Sequence, residues 1–205
     1  MSKTAKTALE NSIDGIVNDD RRKLESTIQI EDYLDEFQYE ITSYLSELSR
    51  REVSDEVSVE LPVLLHTVND LERIGDHAVN IVEIAERKIE QKLSFSDSAL
   101  TEADKLRKEA EQMLDYVIAA LENNDAESAR AALFNESNLN KMQIDFRHSH
   151  VQRMSEGVCS LEAGLIFIDL VDNVEKIGDH LTNIAQAVIG GLQWNGIELE
   201  QPPSF

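Results

Sequence analysis

The segment Asp70–His77 (DLERIGDH) recurs about one hundred residues later as Asn173–His180 (NVEKIGDH). The similarity continues a few residues further, with an Asn-Ile pair in each copy. Each copy holds a glutamate and an aspartate four residues apart, which places both carboxylates on one face of a helix. These pairs are Glu72 with Asp76 and Glu175 with Asp179. A duplicated segment that repeats its charged residues as well as its apolar ones predicts two equivalent sites.

The length and composition of the chain indicate two similar helical halves. The chain has 205 residues, of which 41% are hydrophobic, three are proline and eight are glycine. The strong helix formers Ala, Leu, Glu, Lys, Gln and Arg are abundant. A period near one hundred residues is typical of duplicated domains, because solenoid repeats are only about 20–50 residues long.

Apolar residues at helical spacing predict six helices and an all-α fold. The helices are expected at about 4–17, 21–49, 54–93, 97–124, 125–157 and 158–189. Pro62 either kinks the third helix or marks its true start near Glu60. Trp194 is expected to anchor the C-terminal tail to the bundle. The predicted domains are two repeated antiparallel three-helix bundles, at residues 1–95 and 96–191, and an irregular tail at residues 192–205.

The charge of the chain excludes several classes of partner. With 40 acidic side chains against 19 Lys and Arg, the net charge is −21, so the surface repels nucleic-acid backbones and anionic bilayers. A cation or a basic partner suits it better. The single cysteine, Cys159, fits a reducing compartment. Neither a membrane-spanning apolar run nor an apolar signal core is present. We expect a cytoplasmic chain without membrane insertion of its own, free-standing or part of a longer protein.

A third carboxylate pair with the same spacing, Glu31 and Asp35, lies on the second predicted helix. If the second and third helices pack antiparallel, this pair faces Glu72 and Asp76 across one groove. Four converging carboxylates repel one another unless a cation neutralises them. Oxygen donors suit Mg²⁺, Ca²⁺ or Mn²⁺, and iron when carboxylates bridge several ions. The alternative is a solvated helix face on which Arg73 supplies the neutralising charge.

Two further residue types in the repeated segment bear on this site. His77 and His180 are near enough in sequence to supply nitrogen ligands, although their spacing puts them off the carboxylate face. Gly75 and Gly178 disfavour helix by about 1 kcal/mol each. We interpret these glycines as points of close contact between helices.

The sequence lacks the motifs of several enzyme classes. It has no His-Glu-x-x-His zinc motif, no phosphate-binding glycine loop and no Gly-x-Ser-x-Gly elbow. The Glu-x-x-His pairs of di-iron oxidases are absent as well. We therefore expect a protein that is not an enzyme. A locally basic group is interpreted as a surface or interface patch, and it consists of Arg147, His148, His150 and Arg153.

The segment Leu71–Ile81 resembles the signature of the PhoU family of phosphate-uptake regulators, and the segment around Glu175 resembles its second copy. The resemblance extends over about residues 10 to 190. Residues 148–183 look especially similar to the PhoU-like domain that is fused C-terminally to bacterial sodium/phosphate cotransporters. The resemblance implies two repeated three-helix bundles and a role in phosphate transport or its regulation.

The resemblance also implies metal clusters, with iron or zinc as the metals associated with the family. Carried over by position, the first site consists of Glu31, Asp35, Glu72 and Asp76, and the second of Glu136, Glu175 and Asp179. Asn140 stands where the second site would have its fourth carboxylate. We therefore expect the second site to bind metal more weakly, to hold fewer ions or to be empty. Glu40 and Asp145 are auxiliary candidates.

The sequence leaves more than one function open. The first is a regulatory module that docks on the membrane domain of a phosphate transporter, at the cytoplasmic face of the inner membrane, or on a sensor kinase. The second is a purely structural adaptor or dimerisation domain without metal, and a homodimer is one expected assembly. A metal-dependent enzyme ranks last, because no nucleophile or general-base pair supports it.

Overall fold

A computed structural model of the chain describes residues 1–190, and every regular element within them is an α-helix. The six helices are α1 (Ser2–Asn18), α2 (Arg21–Leu48), α3 (Asp55–Glu90), α4 (Asp97–Asn123), α5 (Ala126–Ser155) and α6 (Leu161–Ile189). The prediction of six helices in an all-α fold is confirmed. The predicted irregular tail and Trp194 lie outside the described residues.

Polar side chains at the helix starts set most of these boundaries. Asp20, Ser54, Ser96, Asp125 and Ser160 each accept a hydrogen bond from a backbone N–H two or three residues further on. Such caps satisfy N–H groups that have no partner within the helix. The starts of these five helices are therefore set by side chains close to them in the sequence.

Several predicted boundaries differ from the structure, and among them the third helix ends at Glu90 and not near residue 93. The third helix runs from Asp55 through Pro62 without a new start at Glu60, so that alternative is wrong. Ser54 caps the first turn and one missing backbone hydrogen bond at the proline is tolerated. The sixth helix begins at Leu161 and not near Val158, because the Ser160 side chain accepts from the Ala163 N–H at 3.1 Å.

Each half of the chain packs as three helices. Helices α1, α2 and α3 contact one another, and so do α4, α5 and α6. The halves meet where α3 packs on α6 and where α1 packs on α4. One hydrophobic core cluster draws side chains from all six helices, among them Leu9, Leu34, Ile74, Leu114 and Phe167. Because this core runs through both halves, the boundary at residues 95 and 96 stays a prediction.

Helices α2 and α5 occupy equivalent outer positions. In the described part of the chain, α2 contacts α1 and α3, and α5 contacts α4 and α6, but neither reaches the opposite half. The buried side chains of α2 are confined to one line, which consists of Leu24, Thr27, Leu34 and Leu45. The crossings of α2 with α3 and of α5 with α6 therefore lie at the outer edges of the molecule.

Glycine allows the close approach of helices at both crossings. A methyl group on Gly75 would lie 2.7 Å from Leu34 Cδ1 and 3.4 Å from Glu31 Cγ. On Gly178 it would lie 3.0 Å from Leu139 Cδ1. The interpretation of both glycines as points of close helix contact is confirmed.

Replacing Gly75 by alanine tests this contact. We expect G75A to unfold at lower denaturant with a loss of about 1–2 kcal/mol, since the clash with Leu34 outweighs the gain in helix propensity. A double-mutant cycle with Leu34→Ala should show coupling, because the shorter side chain removes the clash. A G75A protein as stable as the parent would contradict the close contact.

Candidate metal centre

The glycine contact at Gly75 brings Glu31 of α2 directly onto α3. Glu72 lies three residues before Gly75 on α3 and Asp76 one residue after it, so both lie near the Glu31 side chain. Burial raises the pKa of Glu31 most, and the negative charges of Asp35, Asp76 and Glu72 raise it further. The structure therefore groups the four carboxylates of the first predicted site in one electrostatic neighbourhood.

Glu72 is the most constrained carboxylate of this group. Its side chain is only 13% exposed, and its Oε2 atom is buried without a hydrogen-bond partner. The guanidinium of Arg73 lies 3.7 Å from that oxygen, too far for a hydrogen bond, and binds Asp76 Oδ2 at 2.7 Å instead. Burial, followed by the charge of Asp76, raises the pKa of Glu72, and Arg73 opposes this only in part.

The second group lies at the crossing of α5 and α6. Burial raises the pKa of Glu175, and the charges of Asp179, Asp172 and Glu136 add to this effect, while Lys176 opposes it. Glu136, Glu175 and Asp179 thus share a neighbourhood in the same way as their counterparts. The fourth position differs, because Asn140 donates a 2.6 Å hydrogen bond from Nδ2 to Glu136 Oε1.

The carboxylates are neighbours but do not converge on one point. Within residues 1–190, no three His, Cys, Asp or Glu side chains are placed to hold a metal ion together. Like charges at this spacing repel one another, and Arg73 and Asn140 engage some of the oxygens. Coordination would therefore require rotation of side chains at either crossing.

The auxiliary candidates Glu40 and Asp145 are poorly placed for these groups. Nine residues of α-helix separate Glu40 from Glu31 and Asp145 from Glu136. Because each residue turns the helix by about 100°, each pair lies on opposite sides of its helix. Glu40 is exposed to solvent. The structure therefore gives neither residue a direct role at the crossings.

The two repeated histidines face the contact between α3 and α6. His180 Nδ1 donates to Asp70 Oδ1 at 2.8 Å, and His77 Nδ1 donates to Asn173 Oδ1 at 3.1 Å. The ring centroids are 5.5 Å apart. Burial lowers the pKa of His77. Asp70 and Asn173 are the first residues of the two repeated segments. Their equivalent positions were apparent in the sequence, but the sequence did not indicate that they bind the histidines.

The locally basic group near residue 150 is not a surface patch as a whole. His150 is 2% exposed and stacks on Phe167 with 4.7 Å between ring centroids. Its Nδ1 accepts a hydrogen bond from Arg153, which pairs through both terminal nitrogens with Glu102 at 2.5 and 2.9 Å. Burial, followed by the charge of Arg153, lowers the pKa of His150. For His150 and Arg153 the surface interpretation is wrong, because Glu102 of α4 neutralises the arginine.

Neutralising Glu72 should stabilise the metal-free protein. In Glu72→Gln the buried charge disappears, and the amide can donate to a neighbouring carboxylate as Asn140 does. We expect a gain of about 1 kcal/mol at neutral pH in thermal or denaturant unfolding. The raised pKa of Glu72 means that its charge costs stability at neutral pH and that this cost disappears as the pH falls through that pKa.

The advantage of Glu72→Gln should therefore shrink as the pH falls from neutral toward the ordinary pKa of a glutamate. Glu86→Gln, an exposed change on the same helix, is the matched control and should leave stability nearly unchanged. A variant that is less stable than the parent in chelator-treated samples would contradict a repulsive cluster.

Comparison with known proteins gives a consistent family assignment. The PhoU domain matches residues 1–85 and 103–188. The chain is 29% identical over 126 residues to a phosphate-specific transport system accessory protein, PhoU homolog 1, of Thermotoga maritima, covering 62% of this chain and 53% of that protein. It is 21% identical over 193 residues to the putative inorganic phosphate export protein YjbB of Escherichia coli K12, covering 89% of this chain and 34% of that protein.

Solved structures show the same fold. The crystal structure of PhoU from Pseudomonas aeruginosa superposes with a TM-score of 0.87 at 20% identity and covers 92% of this chain and 90% of that chain. PhoU from Streptococcus pneumoniae, a phosphate transport system regulatory protein, gives a TM-score of 0.79 at 17% identity, with 92% and 87% covered.

Two further predictions concern enzyme activity and membrane insertion. The relatives described above are named as accessory, regulatory and export proteins and not as enzymes, so the prediction of a protein that is not an enzyme is confirmed. No helix among residues 1–190 is long and apolar enough to cross a membrane. The chain spans about half the length of the Thermotoga relative and a third of the Escherichia coli relative. The match of the PhoU domain to both halves places this chain in the PhoU domain family.

Proposed function

We propose that this chain is a regulatory or accessory module of phosphate transport that binds metal at its carboxylate groups and docks on a transporter or a sensor kinase. Its family and the names of its relatives support the link to phosphate transport. The match to about one third of YjbB suggests how such a module serves within a longer transport protein, in line with the resemblance to sodium/phosphate cotransporters.

The single observation that carries metal binding is the buried Oε2 atom of Glu72, which has no hydrogen-bond partner. A buried oxygen of this kind costs about 1–3 kcal/mol unless something binds it. Burial first, and then the charges of Asp76 and Asp35, raise the pKa of both Glu31 and Glu72, so a cation would relieve the same repulsion that protonation relieves.

The types of residue present would suit a cation with oxygen ligands once their side chains rotate toward one point. Glu31, Asp35, Glu72 and Asp76 would hold it at the first site, and Glu136, Glu175 and Asp179 at the second. Carboxylates bind Mg²⁺, Ca²⁺ and Mn²⁺, and they also bind Zn²⁺ and iron. A bound ion would supply positive charge to an acidic surface. Through it, the carboxylate side chains would link α2 to α3 and α5 to α6.

The net charge of −21 makes direct phosphate binding by the metal-free chain unfavourable. A cation at the carboxylate groups would be needed to offset that charge. We therefore assign the carboxylate groups to regulation through metal, with phosphate recognition left to the transport machinery.

A structural adaptor without metal is the second candidate. The observation that favours it is the ion pair between Arg73 and Asp76 at 2.7 Å, which already neutralises one carboxylate of the first group. Elemental analysis separates the two candidates, because only the first requires a bound ion.

The variant E72A/D76A should lose most of the metal that copurifies with the parent chain. Protein is purified without chelators or a metal-affinity column and measured by elemental analysis. The control E86A/E90A removes a carboxylate pair with the same spacing from an exposed part of α3 and should keep its metal. If the parent chain contains no metal when it is purified from cells grown with iron, zinc and manganese, the metal proposal is overturned.

Phosphate transport gives the functional readout. In cells that depend on this protein, E72A/D76A should alter phosphate uptake, whereas E86A/E90A should behave as the parent. Unchanged uptake in cells that lack the chain altogether would overturn the role in phosphate transport, independently of the metal content.

Restoring the missing carboxylate should strengthen the second site. Asn140→Asp removes the amide donor to Glu136 and adds a fourth carboxylate. We expect more metal bound per chain and a metal-free protein that is about 1 kcal/mol less stable. Asp35→Asn, the reverse exchange at the matching position of the first site, should lower the metal content. Identical metal content in both variants would contradict the inequality of the sites.

A further inference from the structure

One face of α2 carries exposed aromatic side chains that the core does not use. Tyr33 is 58% exposed, Phe37 42% and Tyr44 66%. With about 100° of rotation per residue, these three positions fall within about 40° of one another around the helix. We call them the α2 aromatic stripe. Three adjacent exposed aromatic rings form an apolar surface of the kind that marks interaction sites.

Acidic residues border this stripe. Glu36 and Glu40 are exposed beside it, and no ion pair in the described part of the chain engages either of them. Glu47 follows on the same side and pairs with Arg51 at 2.5 Å. From residue 24 to residue 49 the helix carries no Lys, Arg or His. The stripe is therefore an apolar surface with a negatively charged edge.

The fold does not require this surface. Leu34, which packs on Gly75, lies about 60–100° around α2 from the three residues of the stripe. On α5, the positions that match the stripe carry Asn138, Met142 and Ser149, counted from the equivalent contact of Leu139 with Gly178. Lys141 replaces Glu36 there. Two halves with the same packing thus differ at the stripe, so the aromatic rings belong to the first half alone, and the second half keeps only Asp145, at the position of Glu40, from the acidic edge.

We propose that the α2 aromatic stripe docks a helical segment of a partner protein whose apolar face is bordered by Lys and Arg. This inference rests on the docking part of the proposed function and names the chemistry of the partner. Tyrosine and phenylalanine anchor interfaces because they bury a large area at low entropic cost. Basic side chains at the border would pair with Glu36 and Glu40 and stack on the rings.

The charges argue against two other occupants. A second copy of the chain would bring Glu36 and Glu40 against an equally acidic surface, and like charges across an interface cost several kcal/mol. A bilayer that contains anionic lipids repels the same edge. A basic amphipathic helix satisfies both the apolar stripe and its border.

The test uses the 205-residue chain and a synthetic helical peptide of about 20 residues with leucine on one face and lysine on the other. A counterpart peptide has glutamate in place of lysine. We expect the lysine peptide alone to bind, with amide chemical-shift changes centred on residues 33–47. Y33S/F37S/Y44S should weaken binding at least tenfold. Y39S removes an equally exposed tyrosine, 68% exposed and off the stripe, and should change binding less than twofold.

A second variant, E36K/E40K, guards against loss of folding in the triple variant, because it changes only exposed side chains. It should reverse the preference between the two peptides, so that the glutamate peptide binds better than the lysine peptide. Binding that survives Y33S/F37S/Y44S, or shift changes scattered over the acidic surface, would overturn the proposal. The proposal would also be overturned if the parent chain formed a dimer in sedimentation, or bound phosphatidylglycerol vesicles, and these substitutions abolished that association. Metal content and phosphate uptake are measured on the same variants. A failure of the docking proposal can therefore be distinguished from a failure of the metal proposal.

Discussion

The close approach of helices at Gly75 and Gly178 is the constraint on which the rest of the structure depends. Leu34 and Leu139 occupy the space that a methyl group would take on these glycines. This contact fixes the axial position of α2 relative to α3 and of α5 relative to α6. The carboxylates follow as a consequence, since Glu31 lies beside Gly75 on one helix while Glu72 and Asp76 flank that glycine on the other. A packing requirement thus places like charges together, and electrostatics alone would have separated them.

The sequence was sufficient for features that depend on neighbours along the chain. Caps such as Ser54 and Asp125 marked helix starts, and the spacing of Glu72 and Asp76 put both on one face. It was insufficient where a partner came from a distant helix. Glu102 lies 51 residues from Arg153 and turns an apparent basic patch into a buried ion pair. The start of α3 was ambiguous, because local rules weigh Pro62 without the stabilisation that packing supplies.

The two halves differ by exchanges of carboxylate for amide at equivalent positions. Asp70 corresponds to Asn173, and Asp35 to Asn140. In each case the amide lies in the second half. Asn140 uses its donor to bind Glu136, and Asn173 accepts from His77 where Asp70 accepts from His180. An amide can donate to a carboxylate, so the exchange at Asn140 lowers repulsion beside Glu136, while Asn173 accepts from its histidine without carrying a charge.

This inequality bears on which half can respond to its surroundings. The first half retains an unpartnered buried oxygen and a full set of four carboxylates, so its α2–α3 crossing is held together against electrostatic repulsion. Natural proteins retain such unfavourable arrangements at functional sites and compensate through packing elsewhere. The same helix, α2, carries the aromatic stripe on an exposed face, and among the described helices it contacts α1 and α3 alone. A cation that draws α2 and α3 together would therefore act on the helix that presents the stripe, and under both proposals α2 would combine a cation site with a docking surface.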